Sequence, residues 1–161
     1  MLLKNSFILL ASILVIGQSC SNAVNKNTVA KTPHETYADK VKYSTEGQQW
    51  INVSKTTLTT PHAIELPYRL MGHFYAGKEQ ALALQFAAKQ GERVNIDLTK
   101  KSMSGLVIYA DLFRQDGTRV PYLLPADTVN SKFGFDVPET GEYILRLQPE
   151  LNRTGEHRVA L

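Results

Sequence analysis

The sequence holds a single cysteine, Cys20, in 161 residues. No intrachain disulfide can form, so the fold must be held by apolar burial rather than cross-links. No stretch reaches the roughly 20 apolar residues that a membrane-spanning helix needs; the longest run, residues 7–17, falls well short. Neither sign of charge dominates: 18 basic against 15 acidic residues give a net +3, scattered along the chain. That balance does not point to nucleic acid, which calls for a concentrated basic stripe. The nucleophile signature Gly-x-Ser-x-Gly is missing, as is the Asp-x-Asp-x-Asp-Gly loop that would bind calcium. Helical periodicity is never sustained over three turns with caps.

What is present begins at the N-terminus. Lys4 precedes the apolar run of residues 7–17, and Gly17-Gln18-Ser19-Cys20 follows it. A basic start, an apolar stretch of about 7–15 residues and a small-residue cleavage site make a secretory signal peptide. The lone cysteine at that point resembles a bacterial lipobox, although Gly17 stands where Leu, Val or Ile is usual. The expectation is therefore a signal over residues 1–19 and a lipid on the Cys20 thiol. Residues 20–47, rich in Asn, Lys and Thr, read as a flexible linker, with Tyr37, Val41 and Tyr43 starting to dock on the domain beyond it. Such a linker reaches on the order of 25–30 Å. The implied location is the cell envelope, facing the periplasm or the surface, with the membrane as partner through the lipid.

Residues 48–161 read as strands. Candidates are residues 50–53, 63–66, 68–75 (with Gly72 as a bulge), 81–87, 93–98, 106–114, 120–124, 133–137, 143–147 and 157–161. Residues 81–89 have helical propensity too. Their alternation of Leu82, Leu84 and Phe86 against Ala81, Ala83 and Gln85, closed by a glycine turn, favours a strand. Gln115-Asp116-Gly117-Thr118 is a hairpin signal. Pro138 to Gly141 carries turn chemistry between two alternating segments, which predicts a second hairpin with an aromatic-aliphatic face. Short strands with regular turn signals predict an all-β fold, a single antiparallel β-sandwich or jelly roll.

Three segments carry a resemblance: residues 85–98, residues 107–113 running into an Asp-Gly turn, and residues 135–147. Together they look like the bacterial pre-peptidase C-terminal (PPC-like) β-sandwich. Leu66-Pro67-Tyr68, Gly72-His73-Phe74 and the run Leu145-Arg146-Leu147-Gln148-Pro149-Glu150-Leu151 resemble more closely the region ahead of the catalytic domain in lysostaphin-like zinc peptidoglycan endopeptidase lipoproteins. The resemblance spans residues 50–161. In that family zinc is bound by a His with an Asp four residues on and by a His-x-His pair. After His34, His62, His73 and His157 the fourth residues are Ala38, Leu66, Gly77 and Leu161, and the second are Thr36, Ile64, Tyr75 and Val159. Neither motif occurs, and a catalytic zinc needs three converging ligands. The chain thus reads as non-catalytic, with no metal or other cofactor of its own: an accessory or substrate-positioning module whose partners are peptidoglycan or a peptidase domain. The alternative is the N-terminal part of a zinc endopeptidase whose catalytic domain, and zinc, would follow Leu161. A further alternative is a carbohydrate- or protein-binding lipoprotein.

For individual residues the bland reading prevails. Ser102 and Ser104 belong to a polar loop. Asp97 and Asp111 alternate with core positions and are expected to be solvated carboxylates. Arg146 is expected to be an outward cation or to pair with Glu142 or Glu150. Trp50, Tyr68, Phe74, Tyr75 and Tyr109 are expected mostly in the core. Tyr68, Phe74 and Tyr75 are the candidates for a ligand face.

Overall fold

The computed structural model of the chain describes residues 31–101, 105–118 and 130–161. The expected signal, Cys20, the candidate strand at 120–124, Ser102 and Ser104 lie outside the described residues. Among the described residues eight strands form two four-stranded sheets. Sheet I has the order β1-β3-β7-β5, from β1 (His62–Ala63), β3 (Leu82–Ala88), β7 (Gly141–Pro149) and β5 (Ile108–Arg114). Sheet II has the order β2-β8-β4-β6, from β2 (Arg69–Phe74), β8 (Gly155–Ala160), β4 (Arg93–Lys101) and β6 (Asn130–Asp136). All pairings are antiparallel except the two-residue β1, which runs parallel to β3. The all-β sandwich expected from the alternation is thus the fold, and residues 81–89 are strand, not helix.

Between the sheets lies one apolar core. Leu84 and Phe86 of β3, Leu112 of β5, and Tyr143, Leu145 and Leu147 of β7 meet Val94, Ile96 and Leu98 of β4, Phe133 and Phe135 of β6, and Val159 of β8. Each such side chain contributes about 1.5–3 kcal/mol on burial. The contributors sit at every second position, which is why the sequence pattern is legible.

Strand pairing departs from the hairpin expected at 138–141. Successive strands alternate between the sheets from β1 to β8, so β6 and β7 do not pair with each other. Pro138–Gly141 is an arch over the core edge, not a hairpin turn. The reason is that the turn residues reverse the chain without choosing its partner. Two alternating strands can bury their apolar faces against each other across the core as readily as side by side. The 89–92 arch and the 137–140 arch brace each other: Gly91 N–H donates to Val137 O (3.0 Å), Val137 N–H to Glu92 O (2.8 Å), and Gln90 N–H to the Thr140 hydroxyl (3.0 Å). Gly72 forms no bulge, because its register with His157 is continuous. Its missing side chain makes room for the His157 ring, whose Cε1 would lie 2.6 Å from a Cβ placed there. The candidate strand at 63–66 is reduced to His62–Ala63.

Two helices precede the sandwich where a linker and a strand were expected. Helix α1 (Pro33–Val41) starts at Thr32, whose hydroxyl accepts from Glu35 N–H (3.2 Å) while the Glu35 carboxylate accepts from Thr32 N–H (2.7 Å); Pro33 follows the cap directly. This reciprocal pair satisfies two otherwise orphaned donors. Helix α2 (Thr45–Thr56) is capped by Ser44, which accepts from Gly47 N–H (3.0 Å). Residues 33–47 are therefore not a free linker, and the reach reckoned over all of it does not hold. Residues 50–53 belong to α2, not to a strand. Their apolar residues Trp50, Ile51 and Val53 look strand-like in isolation, but burial falls on Gly47, Trp50 and Ser54, a helical spacing. Tyr37 docks, its hydroxyl accepting from Leu151 N–H (3.1 Å), and Val41 is half-buried, whereas Tyr43 is 85% exposed.

Candidate functional site

The outer face of sheet I is the place where polar chemistry concentrates. On β5 and β7 the residues not facing the core stand opposite one another: Tyr109 beside Gln148, Asp111 beside Arg146, Phe113 beside Ile144. An outward face of this kind is ordinarily solvated. Here the helices cover it, so β7 is buried from Tyr143 through Pro149 on both sides. His34 of α1 and Trp50 and Ser54 of α2 come down onto it. Trp50 and Ser54 are four residues apart and share one helix face.

Arg146 is the hub. Its Nη2 donates to Asp111 Oδ2 (2.5 Å) and faces His34 Nδ1 (3.3 Å), while Nη1 donates to the Ser54 carbonyl (3.3 Å). The guanidinium lies 5.1 Å from the Phe113 ring centre, and its Nε is buried with no hydrogen-bond partner among the described residues. Around it, Gln148 Nε2 donates to Trp50 O (2.9 Å) and Trp50 Nε1 donates to Pro149 O (2.7 Å). The Trp50 and His34 rings stack at 4.6 Å. Asp111 is 3% exposed and Arg146 7%. The expected solvated carboxylate at Asp111 and the expected pairing of Arg146 with Glu142 or Glu150 are both replaced by this buried pair. A covering layer, which alternation within a strand cannot reveal, is the cause. Asp97, by contrast, stays partly exposed, 3.5 Å from Lys132.

Ser54, His34 and Asp111 match a nucleophile–base–acid set in residue type, with Ser54 Oγ 3.2 Å from His34 Nε2 and His34 Nδ1 4.0 Å from Asp111. The protons are in the wrong places. Gln148 spends its amide N–H on Trp50, so its Oε1 faces His34 Nε2 at 2.7 Å and that nitrogen must carry the hydrogen. Arg146 donates to Nδ1, which must offer its lone pair. A serine is activated only by an unprotonated Nε2, with Nδ1–H held by the carboxylate. Burial, and then the positive charge of Arg146, hold the His34 pKa below its usual value. The imidazole is thus a neutral spacer between cation and amide. A cleft of about 430 Å³ opens beside the cluster, lined among others by Thr32, Glu35, Ile51, Lys55, Leu58 and Phe113.

The sequence-predicted ligand face does not assemble. Tyr68 packs half-buried against the core, and Phe74 is buried inside the sandwich, stacked on His157 at 4.3 Å. Tyr75 is 54% exposed, with its ring 4.5 Å from that of His73. Consecutive positions on an extended segment point to opposite sides, which separates Phe74 from Tyr75. Trp50, expected in a strand, belongs to α2 and is 1% exposed on the face turned to sheet I. Of the four histidines, His34 is in α1, His62 in β1, His73 in β2 and His157 in β8. Among the described residues no group of three or more His, Cys, Asp or Glu is placed to hold a metal ion.

Sequence reasoning missed the buried cluster. The signals that point to it are two: oppositely charged residues at outward positions of apolar strands, and the Thr32-Pro33-His34-Glu35 helix start.

No protein-family model matches the chain, and no curated protein matches it in sequence. Among solved structures, the chain is similar to the pre-peptidase C-terminal domain of collagenase from Bacillus anthracis, with a TM-score of 0.48 and 18% identity over 62% of this chain and 91% of that one. It is also similar to PliG, a periplasmic inhibitor of g-type lysozyme, from Aeromonas hydrophila (TM-score 0.37, 13% identity, 62% and 93% covered). The PliG of Salmonella Typhimurium gives the same TM-score and identity, with 63% and 96% covered.

Proposed function

We propose that this chain is a lipid-anchored cell-envelope module that binds its target without turning it over, as an accessory or substrate-positioning domain for a peptidoglycan peptidase. The observation that carries the non-catalytic part is the commitment of the reactive-looking residues to one another. His34, Ser54, Asp111 and Arg146 hold α1 and α2 on sheet I, and the protons on His34 leave Ser54 without a base. Attachment rests on the position of Cys20 directly after the apolar run of the signal. A diacylglycerol on that thiol anchors stably, at about 0.8 kcal/mol per buried methylene, where one acyl chain is marginal.

The mature chain incubated with purified peptidoglycan, with and without zinc, should co-sediment with the polymer and release no fragments. Fragment release overturns the binding-only reading. Wild type should incorporate labelled lipid and pellet with membranes, and Cys20→Ser should do neither. A Cys20→Ser protein that stays in the membrane pellet, with no label on wild type, overturns the anchoring.

A further inference from the structure

We propose that the outer face of sheet II, along β2 and β8, binds an acidic glycan: a sugar chain carrying carboxylate, phosphate or sulfate groups. The inference takes its setting, though not its argument, from the envelope placement above.

The outer face of sheet I lies under the two helices, whereas among the described residues no helix packs on the outer face of sheet II. The charges on that second face are unevenly used. On its β4–β6 side the carboxylates among the described residues already hold cations, Asp97 with Lys132 (3.5 Å) and Asp136 with Arg93 (2.8 Å). On its β2–β8 side Arg69 and Arg158 stand on the outward positions, with Lys101 at the adjoining end of β4, and Glu156 is the carboxylate among them. Lys78 adds a further cation over the Tyr75 ring, at 5.6 Å. Arg158 Nη2 is held by the Met71 sulfur (3.7 Å) rather than by an acid. Clustered cations of this kind attract polyanions.

Apolar groups follow the same line. Met71 is 67% exposed and Tyr75 54%, and the His73 and Tyr75 rings sit together at 4.5 Å. A depression of about 150 Å³ lies between Met71, Thr99, Lys101, Glu156 and Arg158. From Arg69 to Tyr75 the strip extends about 20 Å at ~3.3 Å per residue. That length suits an extended polymer better than a small molecule. A sugar ring would lie on the exposed Tyr75 ring, and its acidic groups would meet Arg69 and Arg158. A membrane surface is the poorer fit, because membrane-seated faces present rows of Trp, Phe and Leu and this one offers a methionine and a tyrosine on a flat sheet.

The test uses the full mature chain with Cys20→Ser, titrated into polygalacturonate, neutral dextran and phosphatidylglycerol vesicles. Polygalacturonate should bind, and dextran should not. The double variant Arg69→Ala/Arg158→Ala should bind about tenfold more weakly, from two lost surface charge contacts. Tyr75→Ala, which leaves the charge unchanged, should weaken binding about fivefold. Glu156→Gln should tighten it about two- to threefold by removing the opposing carboxylate. These are exposed positions, so all the variants should keep the wild-type melting temperature. Uptake by vesicles with no glycan binding overturns the proposal in favour of a membrane surface. Wild-type affinity in Tyr75→Ala overturns it too, since a face that reads charge alone is not a glycan site. Because every sample lacks the lipid, failure here leaves the anchoring result standing, and failure of anchoring leaves this one standing.

Discussion

Replacing Asp111 by alanine isolates the central electrostatic feature of the molecule. The carboxylate is 3% exposed and lies 2.5 Å from Arg146 Nη2. Without it the guanidinium keeps its bonds to the Ser54 carbonyl and to His34, but its charge stays buried with no counter-ion. Removing one partner of a buried pair costs about 3–5 kcal/mol. Against a total stability of about 5–15 kcal/mol for a domain, that is a large fraction. Arg146→Met should be similarly costly, because it strands Asp111 and removes the bonds to both helices. Asp111→Leu/Arg146→Met together should recover much of the loss, to within about 2 kcal/mol of wild type, since an apolar pair avoids desolvating either charge. Urea unfolding followed by Trp50 fluorescence is the assay. Trp50 is the sole tryptophan and is 1% exposed on the inner face of α2, so it reports the clamp directly. Far-UV circular dichroism on the same samples reports the sandwich. An Asp111→Ala cost under about 1 kcal/mol would refute the reasoning, as would a double variant as damaged as the two single losses combined.

Two other outcomes rest on the same geometry. The His34 pKa is lowered by burial and by Arg146, and that of His157 by burial and by His73. Below about pH 6.5 the unfolded chain takes up protons that the folded chain refuses, so stability should be full above that pH and fall beneath it, by up to about 1.4 kcal/mol per pH unit per histidine. Urea midpoints at pH 7.5 and 5.5 measure this, and His34→Gln with His157→Gln should flatten the slope; a wild-type midpoint unchanged between the two pH values contradicts it. Gly47→Ala should destabilise by about 1–3 kcal/mol, because a Cβ there would stand 1.8 Å from the Val41 carbonyl oxygen; a thermal melt within 1 °C or so of wild type would show that the helix pair yields there freely.

The sequence alone determined the sandwich class and most of the core. It did so because each strand records its own exposure: Val94, Ile96 and Leu98 alternate with Arg93, Asn95 and Asp97 whatever packs on top. The turn positions at 89–92 and 138–141 were legible for a similar reason, since Pro138 fixes its own φ and Gly91 takes a positive φ that other residues avoid. The helix starts at Thr32 and Ser44 were written there too, in capping residues outweighed by a weakly apolar, Asn- and Lys-rich context. Partner choice was left to the tertiary structure. Hairpin and arch have the same turn residues and the same alternation, and differ only in where the remaining strands lie. The outer face of sheet I is the sharper case. Arg146, Asp111 and Gln148 look like solvated residues on their own strands, and they became a buried clamp because His34, Trp50 and Ser54, up to 114 residues away in the chain, close over them. A side chain's burial is set by what covers it, and the alternation of a strand does not say which distant element that is.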